Sequence, residues 1–149
     1  EISRFSSEQP FILQEYCPTW WIQKRRNKKN FLYEFGALEA AMRQLDIMFE
    51  IKNYLTKYPK AAVVNLGCGL DETGKACDNG SCQIVNVDLP DVIAIREQLI
   101  SKQERETNIP CDLKDYAWMD QVDGSNGIFL FAAGVFHYFR KNDVKNLIL

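Results

Sequence analysis

The chain is predicted to fold as an α/β protein with a doubly wound parallel sheet, on three observations. A short apolar run, Val63-Val64-Asn65-Leu66, breaks into Gly67-Cys68-Gly69-Leu70 and then reaches Asp71. A second run, Ile84-Val85-Asn86-Val87, ends on Asp88 about twenty residues later, followed by Leu89 and Pro90. Helical periodicity precedes the first run and follows the second. Continuously apolar runs of this length suit parallel strands covered on both faces. A glycine turn after one strand and a carboxylate at the end of the next are what the C-terminal edge of such a sheet uses to hold a nucleoside-bearing ligand.

Residues 6–29 are rich in aromatics and then in bases, with no clean period. Across residues 31–58 Leu38, Met42, Leu45, Phe49 and Leu55 recur at spacings of three, four or six, which predicts a helix that Pro59 closes. Residues 61–66 form the first predicted strand. Gly74, Asp78, Asn79 and Gly80 are poor helix formers where the first crossover helix belongs, so that helix is expected to be short or frayed. Residues 84–87 form the second strand, and Asp91 is the candidate N-cap of a helix carrying Val92, Ile95, Leu99 and Ile100 on one face. Residues 107–111 read as a weak third strand ending at Asp112-Leu113, and Asp115 as the cap of a short helix containing Trp118 and Met119. After a turn at Asp123-Gly124-Ser125-Asn126-Gly127, residues 128–133 form a strongly apolar fourth strand, and a last helix starts at Asn142 or Asp143. With right-handed crossovers these elements give the sheet order 3-2-1-4 and a switch point between strands one and four.

The form of the loop narrows the ligand. A dinucleotide fingerprint places glycines at the first, third and sixth positions, and here the sixth is Glu72, whose charge beside Asp71 repels a pyrophosphate. A ligand with a ribose and no phosphate fits better, and S-adenosylmethionine (SAM) is the common one. At this point the residues resemble the leucine carboxyl methyltransferase and polyketide (tetracenomycin-type) O-methyltransferase family. Its V-V-N-L-G-x-G-L-D, V-D-L-P, D-L and G-V-x-x-Y elements each have a counterpart here, and the resemblance runs from about Arg43 onward.

The resemblance implies a Rossmann-like methyltransferase fold, with residues 1–58 as a helical cap and 59–149 as the N-terminal half of the SAM-binding domain. A family sheet of seven strands leads to the expectation that this chain is part of a longer protein, as does its start at Glu1 rather than Met. The implied cofactor site contains the loop residues Gly67, Cys68, Gly69 and Asp71, then Asp88 as ribose acceptor with Leu89 beside it. Asp112 would take the adenine amine and Leu113 would cover a ring face, although that pair also reads as a plain turn. Arg43 would form a bidentate pair with the carboxylate of the methionine moiety; the other reading is a solvated helix residue. Asp88 likewise has a second reading, as a cap before Pro90.

Ala133 departs from the family, which tends to carry Glu there on the border of cofactor and substrate. Its loss makes the acceptor pocket more apolar. His137 is either a general base to an acceptor hydroxyl or a packed residue, and Tyr138 is a wall of the acceptor pocket. The expected reaction is methyl transfer from SAM to a hydroxyl or carboxylate oxygen of a small molecule. The alternative is a non-catalytic nucleoside-binding module that lacks a complete active site.

Composition sets the remaining bounds. With 46% hydrophobic and 26% charged residues the chain reads as an ordinary globular protein, and a net charge of -2 gives no general reason to expect nucleic acid. Lys24, Arg25, Arg26, Lys28 and Lys29 form a basic run that reads as solvated surface, or as a recruiter of an anionic substrate or nucleic acid. No apolar run approaches the roughly 18 residues of a membrane span, and the start has no signal-peptide shape, so the cytoplasm is the default compartment. Cysteines 17, 68, 77, 82 and 111 are read as free thiols, and a single histidine without a CxxC pair argues against zinc. The apolar fourth strand leads to an expectation of self-association.

Overall fold

The computed structural model describes residues 31–148. These comprise helix α1 (Phe31–Lys57), strand β1 (Ala62–Leu66), a four-residue helix α2 (Thr73–Ala76), β2 (Gln83–Asp88), α3 (Pro90–Leu99), β3 (Glu106–Pro110), β4 (Ile128–Phe131) and α4 (Lys141–Ile148). Single 3-10 turns lie at Leu113–Asp115, Met119–Gln121 and Phe136–Tyr138. The chain divides into two compact units after Asp46, within the span of α1. Cys17, the basic run 24–29 and the rest of the predicted cap before α1 lie outside the described residues.

The four strands are all parallel, in the order β3-β2-β1-β4, as the sequence predicts. Every residue of β1 is buried, and so are four of the six in β2, because both faces are covered. One face packs Ala62, Val64, Leu66, Val85, Val87 and Ile109 against Leu113, Trp118 and Leu147, with Val135, Phe136 and Phe139 around them. By alternation the other face presents Val63, Asn65, Ile84, Asn86 and Glu106, and Gly74 of α2 lies against it, where a Cβ would stand 3.1 Å from Ile84. The C-terminal turns of α1 bury Met48, Ile51 and Leu55 in the same unit, and Tyr54 lies 5.4 Å from the ring of Phe129 in β4.

Local chemistry explains where the structure differs from expectation. The crossover helix α2 is short, as predicted, because Gly74, Asp78, Asn79 and Gly80 favour turns: the side chains of Asp78 and Asn79 accept from the N–H groups of Gly80 and Ser81. Asp91 does not cap α3. Pro90 occupies the first turn, where its missing N–H is no loss, and Leu89 is the cap residue. The predicted apolar face of α3 is also wrong, since Ile93 and Arg96 are buried whereas Ile95 and Leu99 are 51% and 66% exposed. Asp115 caps no helix. Tyr116 turns left-handed (φ 54°) and splits the segment into two 3-10 turns, the first capped by Asp112, which accepts from Lys114 N at 3.0 Å. Strand β4 ends at Phe131, two residues early, ahead of the left-handed Gly134 (φ 75°).

Candidate functional site

The glycine loop leaves the C-terminal end of β1, which lies between β2 and β4. Gly67 and Gly69 both have left-handed backbone, φ 67° and 50°, so each position favours glycine. Their surroundings differ. A Cβ on Gly67 would stand 2.6 Å from Val135 Cγ2, so this glycine is needed to let the segment after β4 pack on the loop. Among the described residues a Cβ on Gly69 would meet nothing within 4 Å. Gly69 alone therefore leaves an open approach to the backbone.

Asp88, at the end of β2, closes on that glycine. One carboxylate oxygen accepts from Gly69 N at 2.7 Å and the other from Leu89 N at 2.8 Å. The carboxylate is half-buried, and each oxygen retains acceptor capacity beyond the single N–H it takes. Asp88 thus ties the glycine loop to Leu89, the residue that precedes α3. Leu89 beside it is 45% exposed.

Asp71 organises the loop from within. Its side chain accepts from Asn65 Nδ2 at 2.8 Å, from Thr73 Oγ1 at 2.6 Å and from Thr73 N at 3.2 Å. Cys68 is buried, and burial pushes its thiol up to about 12 despite the nearby Arg96 charge, which leaves it an inert packing residue. Asp112 is exposed beyond the end of β3, the strand next to β2, while Leu113 is buried in the core. Ala133 is exposed. His137 and Tyr138 occupy an exposed 3-10 turn with their rings 4.0 Å apart, on the segment that Val135 pins to Gly67. Arg43 belongs to the first unit, where it is exposed and faces Glu39 one turn away at 3.7 Å. The structure thus brings Gly67, Cys68, Gly69, Asp71, Asp88 and Leu89 together, with the segment of His137 and Tyr138 anchored on the loop.

The sequence reading missed a buried polar layer beneath the loop. Asn65, Asn86 and Asn108 stand in register across β1, β2 and β3. Asn86 Nδ2 donates to Glu106 Oε1 at 2.7 Å and to Asn108 Oδ1 at 3.0 Å. Glu106 also pairs with Arg96 at 3.3 Å, both side chains being 1% exposed. Polar residues interrupting apolar strands at matching places are the signal that carried this layer. Farther along, burial would raise the Asp78 carboxyl, but the Gly80 N–H and Arg105, at 2.6 Å, outweigh it and hold it below its ordinary value. No group of three or more His, Cys, Asp or Glu side chains suited to a metal exists among the described residues.

Residues 47–149 match the family model described as leucine carboxyl methyltransferase, a match that starts where the second compact unit starts. A curated relative, the tetracenomycin polyketide synthesis O-methyltransferase TcmP of Streptomyces glaucescens, is 26% identical over 125 residues, which cover 78% of this chain and 46% of the relative. The chain thus spans about half the length of the curated relative it matches. On the strength of the family match across its sheet-bearing unit, the chain belongs to the leucine carboxyl methyltransferase family.

Proposed function

We propose that this chain supplies the cofactor-binding part of a SAM-dependent O-methyltransferase acting on a hydroxyl or carboxylate of a small molecule. The observation that carries the proposal is the meeting of Gly69 and Asp88. A left-handed glycine with an open approach among the described residues donates its N–H, at 2.7 Å, to a carboxylate at the end of the adjacent strand, which suits a ribose with two neighbouring hydroxyls. The exposed Leu89 offers an apolar neighbour for a nucleoside, and Asp112 beyond β3 an acceptor for an exocyclic amine. A dinucleotide is disfavoured, since α2 has only four residues and offers a pyrophosphate little helix dipole.

SAM, when bound, brings a methyl carbon already activated by its sulfonium. What remains for the protein is alignment of the acceptor and exclusion of water. His137 and Tyr138 suit that task, because Val135 ties their segment to the glycine loop. His137 would take the proton of a hydroxyl acceptor, and a carboxylate acceptor would require no base. The name of the relative supports oxygen as the acceptor atom. The cytoplasm is the proposed compartment, on the four free thiols among the described residues. No helix among the described residues is long and apolar enough to cross a membrane. Calorimetry with SAM, S-adenosylhomocysteine (SAH) and NAD tests the proposal. Binding of the first two without the third is expected, and binding of NAD alone would overturn it.

A further inference from the structure

Arg96 lies in the middle of α3 and is 1% exposed, among the largest fully buried side chains of the described residues. It does not point at solvent or at the helix's own carbonyls. One terminal nitrogen donates to Gly69 O at 3.1 Å and to Asp71 O at 2.7 Å, while the other pairs with Glu106 Oε1 at 3.3 Å. Glu106 is fixed in turn by Asn86 and by the N–H of Gln103 at 3.1 Å. A guanidinium anchored in the sheet thus grips two carbonyls of the glycine loop from behind.

The effect on Gly69 is specific. Its N–H is taken by Asp88 and its C=O by Arg96, so both polar groups of one residue are held from different elements. Gly69 carries no side chain and sits in a left-handed conformation that other backbones rarely adopt, and a free glycine loop would sample many states. Holding both carbonyls back leaves the open approach at Gly69 in one defined shape.

Packing alone does not account for an arginine here. Burying an ion pair commonly gains nothing over apolar residues of the same volume, and Arg96 Nε has no hydrogen-bond partner among the described residues, which adds a cost. We propose that Arg96 is a positioning residue that preorganises the glycine loop for its ligand, with Glu106 and Asn86 as its anchor. This rests on the reading of that loop as the SAM site.

The test uses the full chain and two variants. Arg96→Lys keeps the charge beside Glu106 but cannot reach two carbonyls and a carboxylate together. The double variant Arg96→Met, Glu106→Gln removes both charges, so no buried ion is left unpaired. SAH affinity is measured by calorimetry and amide exchange by mass spectrometry. Exchange across residues 67–73 is expected to speed up while β1 and β2 keep their protection, with SAH binding about 10- to 100-fold weaker, the range of a lost charge-assisted hydrogen bond. A folded variant with wild-type loop exchange overturns the proposal, whatever its affinity. If the wild-type chain binds no SAH, the cofactor reading fails, and loop exchange still decides the role of Arg96. Should neither variant fold, exchange of the wild-type chain in rising urea decides: a loop that opens well before α3 and β3 lose protection is not held by Arg96.

Discussion

The two loop glycines are predicted to fail in different ways when each is replaced by alanine. Gly67→Ala drives a methyl to 2.6 Å from Val135 Cγ2 and 2.9 Å from Cγ1, and Gly69→Ala meets nothing within 4 Å among the described residues. Both pay the left-handed cost of about 1–2 kcal/mol, offset by roughly 0.4–1 kcal/mol from a stiffer unfolded chain. Only Gly67→Ala adds overpacking, about 1–3 kcal/mol. The expected losses are therefore about 2–4 kcal/mol for Gly67→Ala and about 1 kcal/mol for Gly69→Ala, or roughly 8–16 °C and 4 °C in melting temperature at about 4 °C per kcal/mol. Adding Val135→Ala to Gly67→Ala makes room for the methyl, so the double variant is expected to be more stable than the summed single losses by about 1–3 kcal/mol. SAH binding should invert the order among folded proteins, because the methyl of Gly69→Ala stands in the approach to the loop. Urea unfolding and calorimetry measure both. Equal stability losses at the two glycines, or strict additivity with Val135→Ala, would refute the assignment of Gly67 to packing and Gly69 to ligand access.

Asp88→Ala is expected to weaken SAH binding by roughly 1.5–3 kcal/mol, the scale of hydrogen bonds to a charged group, and unchanged affinity in calorimetry would remove Asp88 from the site. Burial pushes the Cys68 and Cys77 thiols up to about 12 and about 11, so above about pH 9 the unfolded chain releases protons that the folded chain keeps. Stability is then full below about pH 9 and falls at up to about 1.4 kcal/mol per pH unit for each thiol toward pH 11–12, and a urea midpoint constant from pH 8 to 10.5 contradicts this. Strand β4 pairs only with β1 among the described residues, and Ile128 and Leu130 are 40% and 50% exposed. Leu130→Lys should therefore reduce concentration-dependent association of this chain in sedimentation, and a wild-type chain that stays monomeric at high concentration counts against that edge as the cause.

Apolar runs made the sheet legible. Residues 61–66 and 84–87 are largely apolar because β1 and β2 are covered on both faces, residues 128–131 form an apolar run in the partly exposed β4, and a glycine turn and an acid end the first two strands. The buried face of α3 was not legible, because periodicity counts apolar residues and the face turns on Arg96, whose charge is paired by Glu106 ten residues on and whose N–H groups are taken by two carbonyls of a loop 25 or more residues back. Loop identity was legible but its division of labour was not: nothing near Gly67 in sequence announces Val135. Asp71 reads as a ligand residue from its motif, yet its oxygens bind Asn65 and Thr73, local partners that only the folded turn brings within reach.

The row of asparagines across β1, β2 and β3 also governs how the strands choose each other. Apolar parallel strands of similar length tolerate sliding, since one valine substitutes for another along a neighbour. A two-residue slip of β3 would set Pro110 or Glu106 opposite Asn86 in place of Asn108, and would carry the Glu106 carboxylate away from Arg96. A one-residue slip would turn Glu106 into the apolar face occupied by Val85 and Val87. Either error strands a charge in the interior, at a cost of several kcal/mol, so misaligned sheets are penalised before any ligand is present. The polar layer would thereby favour a single alignment, and substituting Asn86 and Asn108 with leucine is expected to give a greasier and less discriminating sheet.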